Sequence, residues 1–254
     1  KVFEILKHAI NNEIFYKCFF HTPGNNIIIR SVCFMKKRFE LIYRILFIII
    51  SITGIAIHFD INDRDVNVHE FSFFTLWSNI FCAVFMSVLL IKHFTKKNTR
   101  SALLIYFKGM ALSCITCTFL IYHFSEHKII LQQDTMTPLG LPVESIIAHY
   151  IVPFMFVFDW LIFQPKGLFK WSYIFSWLAF PLVYIFSFFT RCACNTPEEF
   201  RNVPKYPYFF LNYDCLGMRK CLLYIVVITV IFLAVNTIIV FADKFLSNLK
   251  AKKH

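Results

Sequence analysis

The chain has 254 residues, of which 58% are hydrophobic, and a mean hydropathy of +0.61, more apolar surface than a water-soluble domain of this size tolerates. The net charge of +11 invites a nucleic-acid reading, but no basic stripe interleaves with a soluble aromatic platform. The composition therefore excludes a soluble nucleic-acid binder and describes an integral membrane protein, with 33 phenylalanines suited to lipid-facing helices and many of the 11 tyrosines and 4 tryptophans near the ends of apolar windows, as interfacial anchors are.

Residues 1–34 read as an N-terminal extension. They mix charged, Asn and apolar residues and pass through the turn-rich His21-Thr22-Pro23-Gly24-Asn25-Asn26. Two readings stand side by side for the beginning: a short amphipathic helix lying on the membrane, or a disordered leader. Met35-Lys36-Lys37-Arg38 resembles the start of a bacterial membrane protein, so the working domain is expected over 35–254, in a bacterial plasma membrane.

From Phe39 apolar windows recur at about 39–59, 71–91, 102–123, 143–163, 171–190 and 221–242. About 20 residues at 1.5 Å each cover a hydrocarbon core of about 30 Å, so each window predicts one transmembrane helix. The fold class expected is all-α, a six-helix membrane bundle. The first window follows a basic segment, as a signal peptide would, but its apolar run is too long and no small-residue cleavage site follows. Lysines and arginines set the orientation. Seven precede the first window, four lie in 92–100, two are Lys166 and Lys170, and four follow from Lys244, whereas the three alternate connections hold only Arg64, Lys128, Arg191, Arg201, Lys205, Arg219 and Lys220. By the positive-inside rule both termini are cytoplasmic.

The long outer connection at 191–220 carries Cys192, Cys194 and Cys215, with Cys221 opening the sixth window. Four cysteines on an extracytoplasmic face allow disulfides that close the loop over the bundle; the alternative is four free thiols. Neither spacing nor residue type resembles a zinc site, so no metal is expected. Cys18, Cys33, Cys82, Cys114 and Cys117 read as free structural cysteines.

Windows two and four both run from outside to inside, so distance from their starts measures depth. Thr75 lies about 6 Å in and His149 about 9 Å in, at 1.5 Å per residue, and they share a layer. Ser78 and Asn79 follow Thr75 on one helix face, Ser145 and Pro153 share the face of His149, and His58 and His123 sit at outer ends of their windows. Deeper, Arg44, Lys108 and Asp159 fall within one to two turns of the cytoplasmic surface and suggest an ion-pair cluster, although a proton or ion path would use the same residues.

A Thr hydroxyl becomes a nucleophile when a neutral His removes its proton, so Thr75 and His149 form a candidate acyl-transfer pair, with Ser78 or Asn79 as candidate oxyanion donors. The bland alternative is equally physical. Hydroxyls in membrane helices bond back to the carbonyl four residues earlier, and a buried His can simply tie two helices together. A carrier of small solutes, coupled to protons through the inner cluster, is the rival function; the absence of an internal repeat and of paired Gly/Pro-broken spans argues against it, in part. A structural partner subunit is a third reading.

Phe74-Thr75-Leu76-Trp77-Ser78-Asn79, His149-Tyr150-Ile151-Val152-Pro153 running on to Asp159-Trp160, Phe180-Pro181-Leu182-Val183-Tyr184 and Tyr206-Pro207-Tyr208-Phe209-Phe210-Leu211-Asn212 together resemble a family of bacterial six-span membrane proteins. More distantly, the arrangement is similar to the eukaryotic androgen-induced-gene family, six-span hydrolases that cleave fatty acid esters of hydroxy fatty acids with an intramembrane Thr and His. That resemblance implies Thr75 as nucleophile and His149 as base, no cofactor, and a lipid-ester substrate drawn from the membrane lipids. The surroundings of both residues follow the bacterial pattern, and the loop with Tyr206 and Tyr208, which are candidates to cap the site, replaces the eukaryotic segment; Tyr150, beside His149, is a candidate site-lining residue.

Overall fold

In a lipid environment backbone N–H and C=O groups must be satisfied within the segment, and each apolar window does so as a helix. The structure, a computed structural model, describes residues 26–59, 71–95, 101–126, 142–194 and 205–251, with the backbone alone for 26–34, 125–126 and 250. The reading of residues 1–25, and the charges at Arg64, Lys96, Lys97, Arg100, Lys128 and Arg201, lie outside the described residues.

Among the described residues six helices are long and apolar enough to cross a bilayer, and the protein is an integral membrane helical bundle. Helix α1 is Asn26–His58, α2 Phe74–Phe94, α3 Ala102–Ile121 with a wide π turn Tyr122–Glu126 continuing it, and α4 Val143–Phe163 with a π turn, Ile147–Ile151, inside it. Helix α5 is Tyr173–Cys194 and α6 is Met218–Ala251. Successive helices alternate in direction. One end of the bundle gathers His58, Phe71, Tyr122, Val143 and Tyr208 and is called the site end below; the other gathers Phe39, Phe163 and Asp243.

The helices depart from the sequence windows where local chemistry intervenes. Helix α1 begins at Asn26, thirteen residues before its window. Helix α2 starts at Phe74 because residues 71–73 form a tight turn, fixed by the Trp77 indole N–H donating to the Phe71 carbonyl at 2.8 Å. Helix α5 is interrupted at Trp177–Leu178. The cause is Pro181: it supplies no N–H, and its ring crowds the carbonyl four residues back, that of Trp177. Helix α6 outruns its window, and Asp243 near its end anchors the α4–α5 connection, its carboxylate accepting from the Phe169 N–H at 2.9 Å and its carbonyl from the Gly167 N–H at 3.2 Å.

Close packing depends on two glycines. A Cβ at Gly109 on α3 would fall 1.9 Å from the Trp177 ring, so the absent side chain is the slot that holds this fully buried indole. A Cβ at Gly54 on α1 would fall 2.5 Å from Ile147 Cγ2, inside the π turn of α4. Gly54 therefore lets α1 touch the widened segment that carries His149.

Towards the far end, Asp159 of α4 is 1% exposed and receives Arg44 Nε at 3.3 Å on one carboxylate oxygen and Lys108 Nζ at 2.5 Å on the other. Arg44 also pairs with Glu40 at 2.7 Å, and the Lys108 ammonium lies 3.8 Å from the Phe156 ring centroid. The two cations are balanced by two carboxylates, Asp159 and Glu40, where no one charge would be tolerated singly, and Asp159 bolts α1, α3 and α4 together.

Candidate active site

The site is built from the first turn of α2 and the π turn of α4. Thr75 is the second residue of α2, and its hydroxyl lies 3.2 Å from His149 Nε2. Both side chains are buried. The other ring nitrogen, Nδ1, lies 3.0 Å from the Ser145 carbonyl. A carbonyl oxygen only accepts, so the ring proton sits on Nδ1 and Nε2 presents its lone pair to the Thr75 hydroxyl. Thr75 donates and His149 accepts, the arrangement that general-base activation of a hydroxyl requires.

His149 sits inside the π turn Ile147–Ile151. The Val152 N–H bonds the Ile147 carbonyl, five residues back. The next bond in that register would run from residue 153 to the Ala148 carbonyl, and Pro153 has no N–H. Asn79 of α2 fills the vacancy, donating from Nδ2 to the Ala148 carbonyl at 3.2 Å and to the Thr75 carbonyl at 2.8 Å. One amide thus locks the helix that carries Thr75 to the turn that carries His149.

The candidate oxyanion donors Ser78 and Asn79 have these partners. Both Asn79 N–H groups are committed to backbone carbonyls, and Ser78 Oγ bonds the Thr75 carbonyl at 2.9 Å and Thr118 Oγ1 at 2.8 Å. Ser78 and Asn79 hold the Thr75 backbone. Sequence spacing places them on the correct face but does not reveal that carbonyls already claim them.

Tyr122, which the sequence reading passed over, stacks flat on the His149 ring, with centroids 3.6 Å apart and 13° between planes. It begins the π turn that continues α3, and the signal available for it was one residue away, at His123. His123 itself lies at the bundle surface with Nδ1 3.2 Å from the Tyr150 hydroxyl, so Tyr150 pairs with His123. His58 reaches the layer from α1 as one wall of a small cavity that also touches Thr75.

Tyr208 caps the site. Its hydroxyl accepts the Phe74 N–H at 3.0 Å, one of the donors that a helix start leaves without an internal partner, and its ring lines a cavity of about 60 Å³. That cavity runs between α2, α3, α5 and α6; Thr75, Thr118, Tyr122, Tyr184, Tyr208 and Phe232 are among its walls, and most of the remainder is aliphatic or aromatic. Tyr206 lies elsewhere, against Phe188 and Tyr213 in the loop before α6. There Lys205 bonds Asp214 at 2.8 Å, and the ammonium holds the Asp214 carboxyl below its usual range. Cys192, Cys194, Cys215 and Cys221 are free thiols: no bridge closes the described part of the loop. Cys192 and Cys221 each direct their sulfur at a backbone carbonyl, of Lys205 and Leu211, at 3.8 Å. The Arg44, Lys108 and Asp159 cluster belongs to the opposite half of the bundle and contributes no wall to the cavity beside Thr75.

No family model, no curated protein and no solved structure matches this chain.

Proposed function

We propose that the protein is an intramembrane hydrolase of lipid (fatty acyl) esters, with Thr75 as nucleophile and His149 as base, resembling in this the intramembrane threonine hydrolases. In this reading both termini are cytoplasmic and the site end faces the outer leaflet, from which an ester of the membrane lipids enters. The observation that carries the reading is the buried Thr75–His149 hydrogen bond, with Nδ1 committed to the Ser145 carbonyl, so that the lone pair on Nε2 is aimed at the hydroxyl.

The chemistry follows in two steps. Thr75 Oγ1 attacks the ester carbonyl carbon while its proton passes to His149 Nε2; the imidazolium returns that proton to the departing alcohol, leaving an acyl-Thr75 ester. Water then attacks the acyl carbon, Oγ1 regains its proton, and the fatty acid leaves. The apolar cavity that Thr75 borders suits the alkyl segment next to the carbonyl. Tyr122 stacked on one face of the imidazole keeps the ring from turning between steps. The paired Arg44, Lys108 and Asp159 serve as a structural clasp.

A fluorophosphonate probe tests the assignment on the purified protein in detergent. The expected result is phosphonylation of Thr75 in the wild type and its loss in Thr75→Ala and in His149→Ala, both of which remain folded. Labelling declines as the pH falls, since a protonated Nε2 cannot accept the hydroxyl proton. A Thr75→Ala protein that hydrolyses lipid esters at the wild-type rate rules out the mechanism.

A further inference from the structure

Thr75 is the one residue shared by two cavities. Besides the apolar cavity it borders a second, of about 10 Å³, lined by Ser51, Gly54, His58, Asn79 and Ile147 among others. That is the size of a single water molecule, for which about 10–15 Å³ by this measure suffices. Most of its wall is apolar, and the residues with polar side chains along it are Ser51 and His58 of α1 and Thr75 and Asn79 of α2.

Ser51 supplies the second observation. It is 1% exposed, and its Oγ has no hydrogen-bond partner among the described residues. Hydroxyls on these helices ordinarily bond back to the carbonyl four residues earlier, as Ser87 does to Ala83 at 2.8 Å, Thr229 to Ile225 at 2.8 Å and Thr237 to Leu233 at 2.7 Å. Ser51 forgoes that default and lines the cell instead. A buried hydroxyl left unpaired costs free energy, and a water held beside it with two to four polar neighbours removes that cost.

We propose that this cell binds the water that hydrolyses the acyl-Thr75 ester, with Ser51 and His58 as its holding groups. The inference rests on the hydrolase reading and assigns its second substrate to a site distinct from the apolar cavity. The water oxygen forms a bond to the acyl carbon and its proton passes to His149 Nε2; the bond from that carbon to Thr75 Oγ1 breaks, and Oγ1 recovers the proton from Nε2. One water is consumed and one carboxylic acid is released, with no change of oxidation state. Gly54 belongs to the same design, because a side chain there would drive α1 off Ile147 and change the size of the cell.

The test separates acylation from deacylation, with p-nitrophenyl octanoate as substrate and Ser51→Ala and Ser51→Val as variants. Alanine removes one partner of the water; valine fills the cell with methyl groups. The burst of p-nitrophenol, which reports acylation of Thr75, keeps its wild-type rate in both. Steady-state release slows about fivefold in Ser51→Ala, the worth of one hydrogen bond, and more in Ser51→Val, where intact mass shows close to one octanoyl group per chain on Thr75. Wild-type steady-state turnover in both variants overturns the water site, and so does a burst that slows by the same factor as turnover. A wild-type protein with neither burst nor octanoyl-Thr75 defeats the hydrolase reading itself, an outcome distinct from either of these.

Discussion

Asn79 is the residue whose removal tests the architecture of the site most directly. Asn79→Leu keeps the side-chain volume and removes both N–H groups. The Thr75 carbonyl keeps Ser78 Oγ, but the Ala148 carbonyl loses the donor that replaced the one Pro153 cannot supply. A buried acceptor stripped of its partner costs about 1–3 kcal/mol. For a chain of this size each kcal/mol moves the thermal midpoint by about 2–4 °C, so a loss of about 2–12 °C in detergent is expected. The second substitution is Pro153→Ala, which gives residue 153 an N–H able to reach the Ala148 carbonyl in the five-residue register. In that background Asn79→Leu costs at least about 1 kcal/mol less than it does alone, and the rate of Thr75 labelling, reduced in the single variant, recovers in the double one. Midpoints for the two single and the double variants, converted to a coupling free energy, decide the matter. Independent sites add within about 0.5 kcal/mol. Additivity within that margin refutes the argument that Asn79 answers the proline.

Other outcomes follow from the same packing. Gly54→Ala puts a methyl 2.5 Å from Ile147 Cγ2 and displaces the π turn, so labelling of Thr75 slows while the melting midpoint drops by only a few degrees, the better helix propensity of Ala offsetting part of the about 1–3 kcal/mol of overpacking. Gly109→Ala expels Trp177 from its slot; tryptophan emission shifts to the red relative to wild type, and an unchanged spectrum would contradict the packing. Asp159→Ala strands Lys108 as a buried cation, leaves Arg44 only Glu40, and destabilises by about 3–5 kcal/mol, which a thermal or SDS unfolding series measures; a variant of wild-type stability shows that the clasp is unimportant. In the loop before α6, the Asp214 carboxyl is held low by Lys205, so the pairing is present above the usual carboxylate range and is lost as the pH falls through the depressed value. Amide exchange at Tyr213–Leu216 is therefore faster in Asp214→Asn than in wild type near neutrality, and the difference closes in acid.

The six helices were legible because a membrane span is a one-dimensional property: about 20 apolar residues in a row need no partner to be recognised. Depth was legible for the same reason. A fixed rise per residue puts Thr75 and His149 in one layer, and Arg44, Lys108 and Asp159 in another, before any contact is known. Helix ends were less so. The break before Pro181 follows from proline geometry, but Pro153, one residue type in a similar setting, leaves no break and instead widens the turn that precedes it.

The sequence by itself determined which residues lie at the depth of the site and that a hydroxyl and an imidazole are among them. Only the tertiary structure decided what each is bonded to: that Ser145 fixes the proton on Nδ1, that Asn79 is spent on two carbonyls, that Tyr122 covers the ring and that Ser51 has no partner among the described residues. The reason is that rotation of one helix against another is set by side-chain packing between them, here by the missing Cβ atoms of Gly54 and Gly109 and the clasp at Asp159. Periodicity along a single helix carries no record of that rotation.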